Sequence, residues 1–392
     1  MILPGADRLQ GVGEYYFSQK LEQIRLLNIA GRKVINLGIG SPDMLPSPQT
    51  LSAAITAIQS DESHGYASYR STPGLREAIA KWYQSTYDVA VDFEREVLPL
   101  LGSKEGILYV SMAFLNPGDK VLIPNPGYPA YASISHLIGA KAIPYNLCEN
   151  RNWWPDFEAL EKSDLSGVKM MWVNYPHMPT GASAAPELFE KLIAFGMRHK
   201  ILIAHDNPYS LVLNPDPPLS LLSFDPKREI SLELNSFSKS FNMAGWRVGM
   251  LIAHAEVVNR CLQVKSNVDS GMFLPVQSAA VQALANPQSW HEARNFVYQQ
   301  RRRLVYRIFD LLKFTYSREQ VGLFVWAKAP DEIKDVQAFV DQLLLKAGVF
   351  LTPGFIFGTL GARYARCSLC ASEEQLKESI QRLENYLEAS LS

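Results

Sequence analysis

The stretch Ser236-Phe237-Ser238-Lys239-Ser240-Phe241 sets one lysine among hydroxyls, and Gly245-Trp246-Arg247-Val248-Gly249 follows with an arginine between glycines. A lysine just past a strand end can reach into a cleft and attack an aldehyde carbon. Ser236, Ser238 and Arg247 can give donors to a phosphate dianion, the arginine through two parallel bonds. Alone, Ser-x-Ser-Lys is equally a serine-rich loop with a solvated lysine. The arginine eight residues on moves the balance toward a loop that binds an anion and attacks a carbonyl.

Other segments carry compatible chemistry. Leu101-Gly102-Ser103-Lys104-Glu105-Gly106 follows an apolar run and opens a helical one. Free N–H groups and the positive end of a helix dipole suit an anion there, beside the plainer reading of a strand-to-helix turn. Asp206, in His205-Asp206-Asn207-Pro208-Tyr209, ends another apolar run, where in isolation it would cap a helix. Arg366 lies inside the apolar Ala365-Arg366-Cys367-Ser368-Leu369, and a permanent cation in such a strand needs a partner. Arg363, nearby, reads as a surface arginine.

The elements that must position these residues follow from hydrophobic patterning. Short apolar runs at 96–100, 120–124, 140–145, 168–174, 201–206, 230–236 and 248–253 read as strands. Helical stretches at 104–113, 128–139 and 186–199 lie between them. That alternation predicts an α/β fold: a mostly parallel sheet with helices on both faces. Sites in such sheets lie beyond the strands' carboxyl ends. Gly102–Lys104, Asn174, Asp206 and Ser236–Lys239 all follow strands. After about residue 285 the texture changes to a long polar helix at 290–312, an apolar Gly322–Trp326, a helix near 336–347 and a strand at 365–369. The expected division is a large α/β domain over 48–285 and a smaller α+β domain over 286–392, completed by the segment 1–47.

With 392 residues, 47% hydrophobic and 20% charged, the chain has room for a large core. A net charge of −1 leaves no broad basic footprint for nucleic acid or an anionic membrane. The run Arg301-Arg302-Arg303 reads as a solvated helix face. Met1-Ile2-Leu3-Pro4-Gly5 lacks the basic and apolar parts of a signal peptide, and no window has the roughly 18 apolar residues of a membrane span. Four cysteines make no disulfide framework, which suits a reducing compartment such as the cytoplasm. Cys367 and Cys370 read as packed thiols rather than metal ligands, since no second pair accompanies them.

Over essentially its whole length the sequence resembles the pyridoxal phosphate (PLP)-dependent aminotransferases of fold type I, class I/II. The family pattern S-x-[SA]-K-x(7)-R falls on Ser236, Ser238, Lys239 and Arg247. The resemblance implies that Lys239 holds PLP as a Schiff base and that the others bind its phosphate, together with the turn Gly102-Ser103-Lys104. The family's D-x-x-Y falls on Asp206, facing the pyridine nitrogen, and Tyr209, donating to the ring's phenolic oxygen. Pro126-Gly127-Tyr128-Pro129-Ala130-Tyr131 matches a segment whose aromatic ring stacks on the pyridine, with Tyr128 at that position; Tyr131 stays open to core packing. Arg366 matches the arginine that takes the substrate's α-carboxylate. Gly40, in Gly38-Ile39-Gly40-Ser41-Pro42-Asp43, matches a segment lying over that carboxylate. Tyr66, ten residues before Arg76, matches a tyrosine that reaches the neighbouring subunit's phosphate, which implies a homodimer; a glycine usual five residues after it is Ser71 here.

The pattern breaks once. The family's N-x-P-x-N-P-T-G appears as Asn174-Tyr175-Pro176-His177-Met178-Pro179-Thr180-Gly181. Met178 stands where an asparagine normally donates to the phenolic oxygen, and a thioether cannot donate. Tyr209 becomes the main donor, unless Asn174 or His177 shifts to help. With one donor lost, the Schiff base is expected to titrate at a higher pH than in relatives that keep the asparagine.

The implied activity is transfer of an amino group from an L-amino acid to a 2-oxo acid through a PLP/pyridoxamine phosphate ping-pong cycle. A β-lyase of the same fold would share Lys239, Asp206 and Arg247. A PLP-binding regulator is a remoter reading, since those carry a DNA-binding domain ahead of the PLP fold and only about forty residues stand there. Residues 96–106 and 270–273 look closest to aminotransferases of the diaminopimelate group, while aromatic, methionine-like and other neutral amino acids fit equally.

Overall fold

The computed structural model describes Leu3, residues 5–10, Gly13 and residues 16–391. The stretch Met1–Gly5, read above for a targeting signal, lies partly outside them. One seven-stranded sheet runs, in spatial order, Val97–Leu100, Gly249–Ala253, Ser231–Ser236, Leu202–Asp206, Val168–Val173, Lys120–Asn125 and Lys141–Asn146. Gly249–Ala253 pairs antiparallel with both its neighbours, and the other pairings are parallel.

Successive strand residues point to opposite faces. Leu98, Leu100, Met170, Trp172 and Leu251 therefore meet the helices Ser103–Phe114, Pro129–Leu137 and Ala255–Lys265 on one side. On the other side, Val97, Met250 and Ile252 pack with Pro73–Tyr87 and Leu274–Leu284. Met171, Val173 and Ile203 on that side pack with Pro186–His199. Covering both faces is what turns parallel strands into near-continuous apolar runs, and it is why the alternation from residue 96 onward was readable. The helices Pro48–Ile58 and Leu274–Leu284 gave little signal, because their buried stripes are made of Thr50 and Ala54, and of Ala279, Ala280 and Ala283.

The two chain ends meet in a second core. Ile35–Asn36 pairs parallel with Val349–Phe350, and Thr352–Pro353, Tyr364–Ser368 and Phe324–Lys328 form an antiparallel sheet. Ile24, Ile35 and Leu37 share this core with Val305, Ile308, Val325, Leu343 and Leu383. The helix Gln288–Leu311 buries His291, Arg294, Tyr298, Arg301, Val305 and Ile308, three or four residues apart along one face. Arg301 is thus not part of a solvated face. Its guanidinium grips both carboxylate oxygens of Asp43, at 2.6 and 2.8 Å, and donates to the carbonyl of Leu369 at 3.2 Å. A planar fork matched to a carboxylate suits this position, and the arginine ties the stretch after Gly40 to the C-terminal part of the chain. Arg302 and Arg303 lie on the less buried side of the same helix.

Among the described residues, no helix is long and apolar enough to cross a membrane, and no group of three or more His, Cys, Asp or Glu is placed to hold a metal ion.

Candidate active site

The parallel strands deliver the chemistry-bearing residues to one edge of the sheet. Gly102 follows Leu100, Tyr128 follows Asn125, Asn174 follows Val173, Asp206 ends its own strand, and Lys239 comes three residues after Ser236. Arg247 arrives at the same edge from the other direction, just before the antiparallel Gly249–Ala253. Ser103, Lys104, Tyr128, Asn174, Asp206, Tyr209, Ser236, Ser238, Lys239, Arg247, Gly40 and Arg366 line a single cavity of about 250 Å³.

One end of this cavity is built for an anion. Gly102 has φ 91°, a conformation that favours glycine, and a β-carbon there would lie 2.1 Å from Nη2 of Arg247 and push that guanidinium aside. The helix Ser103–Phe114 starts at that turn and brings its N-terminal N–H groups to the same spot. Arg247 Nη1 donates to the carbonyl of Ala244 at 2.9 Å and lies 3.5 Å from Ser238 Oγ.

The middle of the cavity holds a buried carboxylate. Asp206 is 5% exposed, and Tyr131 donates its hydroxyl to Oδ2 at 2.9 Å. Among the described residues, Oδ1 is buried with no partner. Burial pushes the carboxyl up to about 6, and the Tyr131 hydrogen bond pulls the other way. Tyr131 is itself held by stacking on Trp172, with centroids 5.2 Å apart and planes 5° from parallel. The neighbouring His205 shares a wholly buried pair with Glu233 at 2.8 Å, which also receives the hydroxyls of Tyr83 and Ser220, each at 2.9 Å. Those bonds fix the end of the strand that carries Asp206.

Lys239 Nζ donates to the carbonyl of Gly40. Burial lowers the ammonium's pKa, and the nearby Arg366 and Arg247 lower it further against the opposing effect of Cys370. Arg294 of the long helix donates to the carbonyl of Ser240, bracing the loop. At the opposite end from Arg247, Arg366 is 4% exposed and donates to the carbonyl of Gly38 at 2.8 Å. Its guanidinium carbon lies 3.8 Å from the ring centre of Phe324 and 4.6 Å from that of Phe357. Arg363 instead holds the carbonyls of Ile333 and Pro330 outside the cavity.

Residues 32–383 match the family described as aminotransferase class I and II. The LL-diaminopimelate aminotransferase of Halothermothrix orenii is 35% identical over 98% of this chain and 98% of its own. That of Dehalococcoides mccartyi is 37% identical over 97% and 98%. The substrate-bound structure of BacF from Bacillus subtilis superposes with a TM-score of 0.93, at 33% identity over 98% of each chain. The chain belongs to the class I and II aminotransferases. It is a PLP-dependent enzyme that moves an amino group between an amino acid and an oxo acid.

The residues present fit that cofactor. The unmatched Oδ1 of Asp206 suits a protonated ring nitrogen, and the Gly102 turn with Arg247 and Ser238 suits a phosphate.

Other residues of the aminotransferase behave differently from the expectation. Asn174 lines the cavity, but its Nδ2 donates to the carbonyl of Asp206 at 2.6 Å and its Oδ1 accepts from the N–H of Met178 at 2.8 Å. These two bonds brace the site and use one of the two N–H groups of Nδ2. His177 is buried against Thr180 at 2.8 Å and does not line the cavity, so it does not replace the missing asparagine. Met178 does line it, with its sulfur 3.2 Å from Nη1 of Arg366. Tyr66 lies outside this chain's cavity and is 94% exposed. Ser71 takes φ 62°, a conformation that favours glycine, so the turn keeps a glycine-like path with serine in place. Tyr131, Phe17, Phe324 and Phe357 contribute to the site without having been singled out by motif. Tyr131 carried one signal, its place three residues after Tyr128 in the same motif; the phenylalanines read only as core.

The raised carboxyl of Asp206 has a consequence for the cofactor-free enzyme. A carboxyl whose folded pKa exceeds its unfolded value favours the fold below the unfolded value, and that contribution is lost as pH rises through about 6. Asp206→Asn stays neutral throughout. Thermal melts of the cofactor-free proteins should coincide near pH 4, and the wild type should melt below Asp206→Asn above pH 6.5. Curves that stay together at every pH would contradict the burial penalty.

Proposed function

We propose that the aminotransferase reaction of this chain runs on Lys239, Asp206, Tyr209 and Arg366, with the Gly102–Lys104 turn, Ser236, Ser238 and Arg247 holding the cofactor's phosphate. The observation that carries this reading is the convergence on one cavity of these side chains, with Ser103 and Lys104 from the turn, around a buried carboxylate oxygen that has no partner among the described residues. Bound PLP supplies an aldehyde carbon to receive the amino group and an electron-poor ring to stabilise negative charge at the substrate's α-carbon. Arg366 fixes the substrate carboxylate through its guanidinium edge. Lys239, made less basic by burial, takes the proton from the α-carbon. With the cofactor bound, Asp206 would keep a proton on the ring nitrogen, Tyr209 would donate to the phenolic oxygen, and Tyr128 would cover the ring face. The donor is an L-amino acid and the acceptor a 2-oxo acid; LL-diaminopimelate enters the set of donors to test through the relatives' names.

The same reading takes the enzyme as a cytoplasmic homodimer in which Tyr66 serves the neighbouring site. The exposure of Tyr66, Ile55, Ile58 and Phe273 supports it, as does the packing of His64 between the Ile58 carbonyl and the Phe273 ring. It also takes 48–285 as the PLP domain and 286–392, joined by 1–47, as the smaller one; the pairing of Ile35–Asn36 with Val349–Phe350 supports that division.

Lys239→Ala is expected to lower turnover by about 10³-fold or more while the protein still retains PLP through its phosphate contacts. Retained turnover would exclude Lys239 as the proton carrier. Met178→Asn restores a donor beside the phenolic oxygen, so the colour transition of the PLP-loaded enzyme should move down by roughly one pH unit relative to wild type. An unmoved transition would count against a missing donor at Met178. Sedimentation at working concentration should give the mass of two chains, and Tyr66→Phe should weaken PLP retention. A fully active monomer would remove the role given to Tyr66.

A further inference from the structure

Resting on the roles given above to Lys239, Tyr209 and Arg366, we propose that Arg294 and Arg301 are positioning residues for the reaction. Arg294 aligns the lysine with the donor to the phenolic oxygen, and Arg301 aligns the carboxylate site with both. Neither lines the cavity, so each acts through the backbone that its guanidinium holds. The two arginines stand seven residues apart on the helix Gln288–Leu311 and are 3% and 5% exposed. Seven residues make nearly two turns, so both side chains leave the same face about 10 Å apart along the axis.

Arg294 joins two loops that leave different strands. It donates to the carbonyl of Ser240, the residue after Lys239, and to that of Leu211, two residues after Tyr209. Asn295 Nδ2 donates to the same Leu211 carbonyl at 3.1 Å, and the N–H of Val212 closes the turn on the carbonyl of Tyr209 at 2.9 Å. Ser240 Oγ donates to the carbonyl of Pro208 at 3.4 Å, and the ring of Phe241 meets His291 edge-on at 5.5 Å. Both loops are therefore fixed to one stretch of one helix. His291 Nδ1 accepts from Arg294 at 3.2 Å, and burial beside that cation pushes the imidazole down to about 4, so it stays neutral and keeps its acceptor. Burying a guanidinium costs stability. What it provides here is a rigid fork that meets two carbonyls at a fixed spacing, which an ammonium on a flexible stem does not reproduce.

Two turns on, Arg301 grips both oxygens of Asp43 and donates to the carbonyl of Leu369. Asp43 lies three residues after Gly40, whose carbonyl accepts from Lys239. Leu369 lies three residues after Arg366, whose guanidinium donates to the carbonyl of Gly38. The N–H of Ser368 donates to the carbonyl of Leu37 at 2.7 Å, so the early segment and the strand of Arg366 are tied as one piece. One helix face thus sets the distance between the residues that act on the cofactor and the arginine for the carboxylate. A displacement of about 1 Å between such groups lowers a rate by about 100-fold.

Two oxyamines separate the arms of this brace without turnover. Aminooxyacetate and methoxyamine both displace the lysine from PLP, and only the first carries a carboxylate for Arg366. With each rate divided by that for free PLP, the wild type is expected to react about tenfold or more faster with aminooxyacetate. Arg301→Lys should lower that advantage by about fivefold or more and leave the colour transition of the PLP-loaded enzyme within about 0.2 pH unit. Arg294→Lys should raise the colour transition by about half a pH unit or more, because Tyr209 loses its aim at the phenolic oxygen, and leave the carboxylate advantage within about twofold. General loosening of the fold would move both readouts in both variants. Where a lysine variant does not retain PLP, Arg294→Gln and Arg301→Gln serve the same comparison, since an amide still answers one acceptor. An unmoved transition at position 294, an unmoved advantage at position 301, or both readouts moving together in either variant would overturn the proposal and leave the roles of Lys239 and Arg366 standing. Equal reaction of the wild type with the two oxyamines would instead overturn the role of Arg366 on which the proposal rests. A pH-dependent colour transition that survives in Lys239→Ala would do the same for Lys239.

Discussion

Burying a carboxylate costs several kcal/mol unless something answers its charge, and Asp206 is the carboxylate around which this site is arranged. Tyr131 answers one oxygen, and the other has no donor among the described residues. Folding alone therefore leaves an electrostatic debt that a cationic N–H in the cavity can settle. The surroundings keep that arrangement from relaxing. Asn174 holds the Asp206 carbonyl, Trp172 holds the Tyr131 ring, and the His205–Glu233 pair anchors the strand from behind. A carboxylate free to turn toward water would lose both its raised pKa and its aim.

The parallel sheet makes this possible at low cost in backbone strain. With both faces covered by helices, its interior cannot take polar side chains without partners. The carboxyl edge can, because chain leaving each strand there is already changing direction. Gly102, Asn174, Asp206 and the Lys239 loop use that edge, and Arg247 joins them from the antiparallel strand's start. The cavity is thus a product of strand order as much as of side-chain type.

Its other end depends on contacts between distant parts of the chain. The carbonyl of Gly38, the sulfur of Met178 and the rings of Phe324 and Phe357 all meet at Arg366. Arg301 and Asp43 hold the early segment against the late one. Met178 changes the character of this junction: a weak, polarizable acceptor sits beside the guanidinium where an amide would have offered a donor and an acceptor. The cation lies against π faces, while its edge donates to the Gly38 carbonyl and meets the Met178 sulfur.

The amino-acid sequence by itself determined the strand–helix alternation and the polar half of the site. Doubly covered strands must be apolar runs, and a phosphate, a ring nitrogen and a carboxylate each need particular donors or acceptors at short, local spacing. Lys239, Arg247, Asp206 and the Gly102 turn were legible for that reason. Tertiary structure decided the rest. Phe17, Phe324 and Phe357 are indistinguishable from core residues until the fold turns them toward the cavity, and Tyr131 until its hydroxyl meets Asp206. Arg301 read as solvated until the helix placed it against Asp43. Asn174 read as a possible contact to the cofactor, and the fold adds the Asp206 carbonyl and the Met178 N–H as partners of its amide. Local spacing records which groups a site needs, whereas burial and long-range contacts set which way each one faces and what remains available to a ligand.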